Sequence, residues 1–158
     1  MPTISLRPID QGNYQACIDL SVEPSQERFV ASNVQSLADA YVWRDGAEPY
    51  AVCADEDVVG FALLYPLVDG DPVYPLPADA AVRGLVLVRL MVDARYQGRG
   101  YGRDALAAVV ALARERGLKT LGLSVVPENE QALEFYRRNG FAETGEVKGG
   151  ELVMELSL

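Results

Sequence analysis

A glycine-rich turn between two apolar stretches constrains the fold of this chain more than any other feature. Residues 85–92 are the most apolar run, residues 97–102 read QGRGYG, and an alanine-rich helical pattern follows. A buried strand, a glycine turn and a helix N-terminus in that order present unpaired backbone N–H groups, and the positive end of a helix dipole, to an anion. Arg95, Arg99 and Arg103 flank the turn. The stretch therefore predicts a diphosphate site where the helix begins.

The spacing of the glycines excludes two common phosphate motifs. The dinucleotide pattern G-x-G-x-x-G is absent from this stretch, and so is the Gly-Lys-Ser/Thr ending of the nucleotide P-loop. A strand-to-helix turn that binds nothing is the alternative interpretation of the same residues.

Composition narrows the class of protein. The chain has 158 residues, of which 49% are hydrophobic, and we expect one domain over 1–158. We find neither a signal-peptide pattern nor an apolar run near the ~20 residues that span a bilayer, so we expect a cytoplasmic protein without membrane contact. Cys17 and Cys53 fall at predicted helix and strand positions, which favours buried free thiols.

Charge and the absence of histidine restrict partners and chemistry. Lys and Arg total 14 against 23 Asp and Glu, a net charge of −9. Such a chain repels nucleic acid and attracts small cationic molecules. There is no histidine, which excludes Ser-His-Asp and Cys-His catalysis and removes the commonest metal ligand. We therefore predict no metal site.

Hydrophobic periodicity predicts strands and helices mixed around one sheet, an α+β fold. Residues 66–82 carry four prolines and are expected to form an irregular loop. Asp10 is the predicted N-cap of the first helix. The predicted helices cover 13–20, 34–43, 99–116 and 129–139; the predicted strands cover 3–7, 50–54, 58–65, 85–92, 120–126, 141–147 and 151–156.

Two motifs in order resemble the GNAT superfamily of acetyl-coenzyme A-dependent N-acetyltransferases. The first is Gln97-x-x-Gly100-x-Gly102. The second, one strand and one helix downstream, is N-x-x-A-L-x-F-Y-x-x-x-G-F, formed by Asn129, Ala132, Leu133, Phe135, Tyr136, Gly140 and Phe141. The resemblance covers 84–147, and residues 29–33 and 36–38 resemble the bacterial spermine/spermidine acetyltransferase branch.

The resemblance implies a fold and a cosubstrate. The fold is a mixed, mostly antiparallel sheet of six to seven strands with about four helices. The cosubstrate is acetyl-coenzyme A, whose pantetheine pairs with a bulged central strand and whose acetyl group goes directly to an amine in a ternary complex. A freed backbone N–H near Met91 would polarise the thioester carbonyl. The implied cofactor-binding residues are Leu90, Met91, Val92, Gln97, Gly98, Arg99, Gly100, Tyr101, Gly102 and Asn129, the last of which could instead only cap its helix.

Tyr136 is the candidate general acid. Within the motif it would protonate, or donate a hydrogen bond to, the leaving thiolate; a tyrosine that only fills the core is the alternative. The general base is undetermined, because the strand at 85–92 offers Arg89 and no carboxylate. The resemblance places the acceptor pocket near the first helices. Its candidate residues are Glu23, Glu27 and Tyr41, with Trp43, Asp69 and Asp71 as further options, although any one of these acids could be a solvated surface charge.

Three functions stay open at this stage. The first is acetylation of a small amine, most in keeping with a polyamine or another cationic molecule. The second is acetylation of a protein N-terminus or an antibiotic on the same scaffold. The third is a silent acyl-coenzyme A-binding domain, which the missing central-strand carboxylate favours. A homodimer through the final hairpin and a monomer are both compatible with the sequence.

Overall fold

A computed structural model describes residues 1–43, 46–69 and 79–158. Those residues form seven strands in one sheet, in the order β1-β2-β3-β4-β5-β7-β6, with β4 and β5 parallel and the other neighbours antiparallel. The strands are β1 Ile4–Pro8, β2 Glu48–Ala54, β3 Asp57–Val68, β4 Val82–Val92, β5 Thr120–Val125, β6 Ala142–Lys148 and β7 Glu151–Ser157. The predicted α+β class with a mostly antiparallel sheet is therefore confirmed.

Four α-helices pack on the described part of the sheet, as predicted. They are α1 Tyr14–Ile18, α2 Asn33–Val42, α3 Tyr101–Glu115 and α4 Glu130–Arg138. Helix α3 buries the stripe that the sequence shows, with Leu106 and Val109 in one core cluster together with Leu133 of α4. Cys17 of α1 and Ala40 of α2 pack in a second cluster with Met91 of β4. The sheet thus separates an α3–α4 layer from an α1–α2 layer.

The predicted first helix is shorter in the structure, and its continuation differs. Helix α1 ends at Ile18, and a 3-10 helix over Pro24–Phe29 follows before α2. Pro24 starts that 3-10 helix, where its missing N–H costs no hydrogen bond. Asp10 does not cap α1 itself; its Oδ1 accepts from the N–H of Gly12 and of Asn13 and so holds the turn before the helix.

Strands β3 and β4 extend into the predicted loop at 66–82. Strand β3 continues to Val68 and β4 starts at Val82, with Pro66 opposite Leu85. The pairing of β2 with β3 ends at Leu64. Pro66 therefore lies beyond β2, where its lack of an N–H removes no bond to that strand. The remainder of the predicted loop at 70–78, including Asp71, lies outside the described residues.

Both buried cysteines are free thiols, as predicted from their positions in a helix and a strand. Burial raises the pKa of the Cys17 thiol to about 12, which keeps it protonated and unreactive. Within the described residues, no helix has the length and apolarity needed to cross a membrane.

Candidate active site

The site opens where β4 and β5 part. The two strands pair only from Gly84 to Val86 on β4. The register with β3 jumps from Arg89 opposite Leu63 to Leu87 opposite Leu64, so Val88 is the extra residue of a β-bulge. At the paired end, a Cβ on Gly84 would lie 2.0 Å from the carbonyl oxygen of Thr120. The glycine permits this close contact, and beyond it the strands separate into a gap.

Hydrogen-bond alternation decides which backbone groups face the gap. The N–H of Asp93 donates to Val59 O, and the register runs without a shift from Val92 back to Arg89. Opposed residues in an antiparallel pair alternate between bonded and non-bonded, so Met91 directs its N–H and C=O towards β3. The N–H groups of Leu90 and Val92 therefore face the gap, and the expected N–H near Met91 is supplied by its neighbours.

The glycine turn adopts a conformation that only glycine accepts readily. Gly98 has φ +75° and Gly100 has φ +84°, both in the left-handed region. A Cβ on Gly98 would meet no atom within 4 Å, so the backbone conformation rather than crowding requires glycine there. Helix α3 begins at Tyr101 with Gly100 as its N-cap. The N–H groups of its first turn have no partner within the helix, and Gly100, Tyr101 and Gly102 line a cavity.

The three arginines near the turn have different surroundings. Arg95 is paired with Asp93 at 2.7 Å. Arg99 lies over the Tyr96 ring at 5.5 Å and donates to the Arg95 carbonyl. Arg103 pairs with Asp104 at 3.1 Å and lines the cavity beside the turn. Arg103 is thus the arginine of the three with access to a ligand in that cavity.

A cavity of about 600 Å³, here termed the cofactor cleft, joins the gap to the turn. Apart from Arg99, every residue predicted to bind the cofactor lines this cleft, and so does Tyr136. These residues are Leu90, Met91, Val92, Gln97, Gly98, Gly100, Tyr101, Gly102 and Asn129. The structure therefore brings together residues that are up to 46 positions apart in sequence, from Leu90 to Tyr136.

Tyr136 packs against core aromatic residues and also lines the cofactor cleft. Its ring packs edge-on against Phe135 and Phe141, with centroids 5.1 Å and 5.5 Å away. It also lines the cleft, and burial raises its pKa to about 12. Within the described part of the chain, its hydroxyl has no hydrogen-bond partner. The hydroxyl is therefore protonated at neutral pH and has a hydrogen-bond donor to spare at the cleft wall.

Asn129 caps a helix and also lies at the cleft. Its side-chain oxygen accepts from the N–H of Ala132 at 3.2 Å, which caps α4. The residue also lines the cofactor cleft. Capping and ligand contact are compatible at this position.

A second cavity of about 310 Å³, here termed the acceptor cavity, adjoins the cleft. Val22, Val30 and Met91 line both cavities. Glu27, an exposed acidic residue, lines the acceptor cavity. The short segment between α1 and α2 is therefore the wall that the two cavities share.

The other two predicted acceptor residues lie elsewhere. The Glu23 side chain accepts a backbone hydrogen bond in the capping box of the 3-10 helix, and Glu23 lines neither cavity. Tyr41 is 71% exposed on α2 and also lines neither. Trp43 is half exposed, and Asp69 pairs with Arg83. Of the candidate acceptor residues, the structure brings only Glu27 to the site among the described residues.

Two sets of side-chain hydrogen bonds hold the segment between α1 and α2, and the sequence motifs predicted neither. The side-chain Nε2 of Gln97 donates to Gln26 Oε1 and to Val92 O, both at 2.9 Å. The same Gln26 oxygen accepts from the N–H of Glu23. Gln97 thus ties the 3-10 helix to the end of β4. The contact spans 71 positions, and a polar residue in an exposed helix gives no local signal of it.

Asp93 makes the second connection. It is 1% exposed, and it accepts from the N–H of Ser21 at 3.0 Å and from both the N–H and the side chain of Arg95. Burial acts to raise the pKa of this carboxyl, but the Arg95 guanidinium and the two backbone N–H donors outweigh it, and the pKa is lowered. Asp93 was not identified from the sequence; the signal that could have indicated it is an acidic residue directly after an apolar strand.

Arg89 is the remaining polar residue on this part of β4. Its Nη1 donates to the Val88 carbonyl, and its Nε is buried with no partner in the described residues. The described part of β4 carries no carboxylate, as the sequence shows. Within the described residues, no cluster of three or more Cys, Asp or Glu could hold a metal ion.

Comparison with known proteins gives a consistent family. The acetyltransferase (GNAT) family model matches residues 6–141. A spermine/spermidine N(1)-acetyltransferase of Bacillus subtilis is 32% identical over 157 residues, which cover 96% of this chain and 97% of that protein. An aminoglycoside N(6′)-acetyltransferase of Stenotrophomonas maltophilia is 34% identical over 150 residues, 92% of this chain and 90% of that protein.

The fold also matches a solved structure. The PaiA N-acetyltransferase of Thermoplasma acidophilum in complex with coenzyme A superimposes with a TM-score of 0.70 at 17% identity, over 99% of each chain. At 17% identity this match is evidence for the fold alone.

Proposed function

Because the chain belongs to the GNAT family of acetyltransferases, we propose that it acetylates a small primary amine of the polyamine or diamine class. It is an acyl-coenzyme A-dependent N-acetyltransferase, with acetyl-coenzyme A as cosubstrate. The observation that carries the choice of amine is the acceptor cavity, which is lined by the acidic residue Glu27 and adjoins the cleft. A carboxylate there pairs with an ammonium group of a substrate that carries more than one.

The residues of the cleft fit the cosubstrate. The turn at 97–102 offers backbone N–H groups and left-handed glycines to a diphosphate. The backbone of Leu90 and Val92 faces the gap and can pair with an extended amide chain such as pantetheine. The thioester supplies an activated acetyl group when it is bound.

The groups around the gap account for the steps of the acetyl transfer. A neutral amine forms a bond to the acetyl carbon, and the bond from that carbon to sulfur breaks. An N–H of Leu90 or Val92 polarises the carbonyl oxygen. Tyr136 gives its proton to the departing sulfur, the nitrogen of the new amide releases its extra proton to solvent, and Tyr136 regains a proton from solvent. The ammonium proton leaves earlier, through water to Glu27 or to bulk solvent, since β4 carries no acid.

The size of the acceptor cavity separates this proposal from its main rival. The similarity to an aminoglycoside acetyltransferase favours an antibiotic as acceptor. A cavity of about 310 Å³ fits a linear diamine or triamine better than a set of linked sugar rings. A silent coenzyme A-binding domain is the other rival, and the presence of Tyr136 at the cleft wall together with both sequence motifs argues against it.

A thiol-release assay with acetyl-coenzyme A and a panel of amines tests the proposal. The panel contains putrescine, spermidine, an aminoglycoside and a peptide with a free N-terminus. We expect turnover of spermidine or putrescine, and Glu27→Gln should raise the KM for that amine about tenfold with kcat changed less than threefold. Asp19→Asn, which removes one charge from an exposed residue after α1, is the matched control.

Three results would contradict the proposal. Turnover confined to the aminoglycoside or to the peptide would move the acceptor to another class. Coenzyme A binding without turnover of any amine would favour the silent domain. Equal effects of Glu27→Gln and Asp19→Asn would remove Glu27 from the acceptor site.

A further inference from the structure

Among the described residues that line the acceptor cavity, one polar side chain is buried, that of Asn33 at the start of α2. Asn33 is 6% exposed, whereas the other polar residues of the cavity, Ser21, Glu27 and Ser32, are exposed. A buried amide that lacks hydrogen bonds costs free energy. Each polar atom of Asn33 is therefore expected to have a partner in the working protein.

The nitrogen of the Asn33 amide is already bound to the protein. Its Nδ2 donates to the backbone carbonyl of Cys17 at 2.8 Å and lies 3.6 Å from the sulfur of Met91. A carbonyl oxygen and a thioether sulfur accept hydrogen bonds and donate none. The amide is therefore fixed in this orientation, because half a turn would place Oδ1 against two acceptors.

The oxygen of the same amide is unused. Asn33 Oδ1 accepts no hydrogen bond in the described part of the chain. It is also not sealed in the interior: the unpartnered polar side-chain atoms that are sealed there are Ser36 Oγ and Arg89 Nε. Since Asn33 lines the acceptor cavity, that cavity is the space that Oδ1 reaches. The structure thus presents a fixed carbonyl oxygen to a molecule in the cavity.

The positions of Asn33 and Glu27 decide which nitrogen of the substrate each one meets. Asn33 contacts Met91, which lines both the acceptor cavity and the cofactor cleft, whereas Glu27 is exposed. The nitrogen that attacks the thioester has to lie where the two cavities meet, and a second nitrogen of a diamine can extend to the exposed carboxylate. Asn33 is therefore placed at the reacting end of the acceptor.

An amide oxygen suits that end better than a carboxylate does. The attacking nitrogen has to be neutral, and a carboxylate beside it would raise the pKa of the amine by stabilising its ammonium form. An amide oxygen carries no net charge. A neutral primary amine has two N–H groups and a lone pair, so it can donate one N–H to Oδ1 and keep the lone pair for the acetyl carbon.

We propose that Asn33 Oδ1 accepts an N–H of the nitrogen that becomes acetylated, and that it thereby orients this amine for attack. The inference rests on the proposed transfer to a small amine and names the residue that selects the nucleophile. An alcohol in the same place is a poor nucleophile until a base removes its proton, and an amide is no such base. The arrangement therefore favours amines over alcohols.

Steady-state kinetics of Asn33→Leu and Gln35→Leu test the assignment. Both variants exchange a side-chain amide for leucine on α2, but Gln35 is exposed and does not line the acceptor cavity. Asn33→Leu should lower kcat/KM for the amine about thirtyfold and change the Kd for coenzyme A, measured by calorimetry, less than about twofold. Gln35→Leu should leave both quantities unchanged.

Asn33→Asp separates contact with the amine from a role in packing alone. Aspartate retains an oxygen at this position and adds a negative charge. Glu27 is the other charged residue that lines the cavity among the described residues, and burial keeps the neighbouring Cys17 thiol neutral. A carboxylate beside the reacting nitrogen should move the rising limb of the kcat profile upward by about one pH unit. A packing role predicts a lower kcat with an unchanged profile.

Three results would overturn the proposal: equal behaviour of Asn33→Leu and Gln35→Leu, an equal loss of coenzyme A affinity and kcat/KM in Asn33→Leu, or a wild-type pH profile in Asn33→Asp. Should a variant fail to fold, a crystal of the wild-type protein with a bisubstrate analogue that links the amine to coenzyme A decides. A nitrogen within about 3.2 Å of Asn33 Oδ1 supports the proposal, and a longer distance overturns it.

Failure of the proposed function gives a different result. If the wild-type protein acetylates an aminoglycoside or a peptide in place of a polyamine, the choice of amine is wrong, and the same variants assayed with that amine still decide the role of Asn33. If it acetylates no amine at all, both proposals are wrong.

Discussion

At the scale of single residues, burial keeps the hydroxyl of Tyr136 protonated and makes it a weaker acid than an exposed tyrosine. Burial raises its pKa to about 12, two units above the ordinary value of 10.0, because the charged phenolate is poorly solvated there. The same burial packs the ring between Phe135 and Phe141. Substitution by phenylalanine therefore removes the donor and preserves the packing.

Tyr136→Phe should lower kcat at least tenfold and change the affinity for acetyl-coenzyme A less than twofold. Steady-state thiol release and calorimetry measure the two quantities. In the wild-type enzyme, no loss of rate due to Tyr136 should be seen up to about pH 11, since the hydroxyl stays protonated below its raised pKa. An unchanged kcat in the variant would remove Tyr136 from the mechanism.

Asp93 gives a stability prediction at the same scale. Its pKa is lowered in the folded protein, so its contribution is complete above the unfolded-state value near ~3.9 and is lost as pH falls through the lower folded value. Asp93→Asn should lower the free energy of unfolding by about 1–3 kcal/mol at pH 7. The difference from wild type should shrink as pH falls below ~3.9 and through the lower folded-state pKa.

Urea denaturation at several pH values measures this dependence. Asp69→Asn, which breaks the exposed pair with Arg83, is the control and should change stability by less than about 0.5 kcal/mol. A pH-independent loss in Asp93→Asn would mean that shape rather than charge explains the effect.

At the scale of elements, the 3-10 helix Pro24–Phe29 depends on the cofactor turn for its position. The Gln97 side chain holds Gln26, and Asp93 holds Ser21 just before the helix. The N–H of Ala94 also donates to the Ser21 carbonyl at 2.8 Å. The wall of the acceptor cavity is thus attached at two points, at Ser21 and Gln26, to the segment that runs from Asp93 to Gln97.

Gln26→Met should raise the KM for the amine about fivefold, because it removes the oxygen that accepts from Gln97 and from Glu23. Gln26→Glu retains an accepting oxygen and should stay within about twofold of wild type. Steady-state kinetics with both substrates measures the two variants. If Gln26→Met and Gln26→Glu raised the KM equally, the contact with Gln97 would not position the wall.

The sequence predicted those elements whose signals are local. The glycine turn, the α3 stripe and the hairpin of β6 and β7 follow from spacing over a few residues. Strands β3 and β4 were predicted too short, because the prolines from Pro66 onwards suggested a loop. Only the strand pairing shows that Pro66 lies beyond β2 and costs no hydrogen bond to that strand. The contact of Gln26 with Gln97, and the placing of Glu27 rather than Glu23 at a cavity, depend on tertiary packing that no local pattern encodes.

At the scale of the whole molecule, the cosubstrate should act as a folding ligand. The cofactor cleft draws on β4, the turn, α3 and α4, so bound coenzyme A joins elements that unfolding would separate. At about 100 times its Kd, coenzyme A should add about 2.7 kcal/mol to the free energy of unfolding. For a chain of this size that corresponds to a rise in Tm of about 5–10 °C.

Differential scanning fluorimetry with increasing coenzyme A measures the shift. The rise should continue logarithmically with concentration above the Kd. Adenosine monophosphate at the same concentrations is the control and should give a much smaller shift. No rise with coenzyme A would contradict binding in the cleft.

The net charge of the whole molecule affects the approach of its two substrates. The net charge of −9 repels a polyanionic cosubstrate at long range, and it attracts a polycationic acceptor. Arg103 lines the cofactor cleft and can offset this repulsion close to the bound cosubstrate.

The shared wall has a consequence for how such enzymes diverge. Most of the acceptor cavity comes from one contiguous stretch, residues 18–34, with Met91 as the contribution of the sheet. Exchange of that stretch for its counterpart from a relative would be expected to transfer acceptor preference and leave the thioester machinery in place. New substrate ranges can then evolve by changes in about a tenth of the gene.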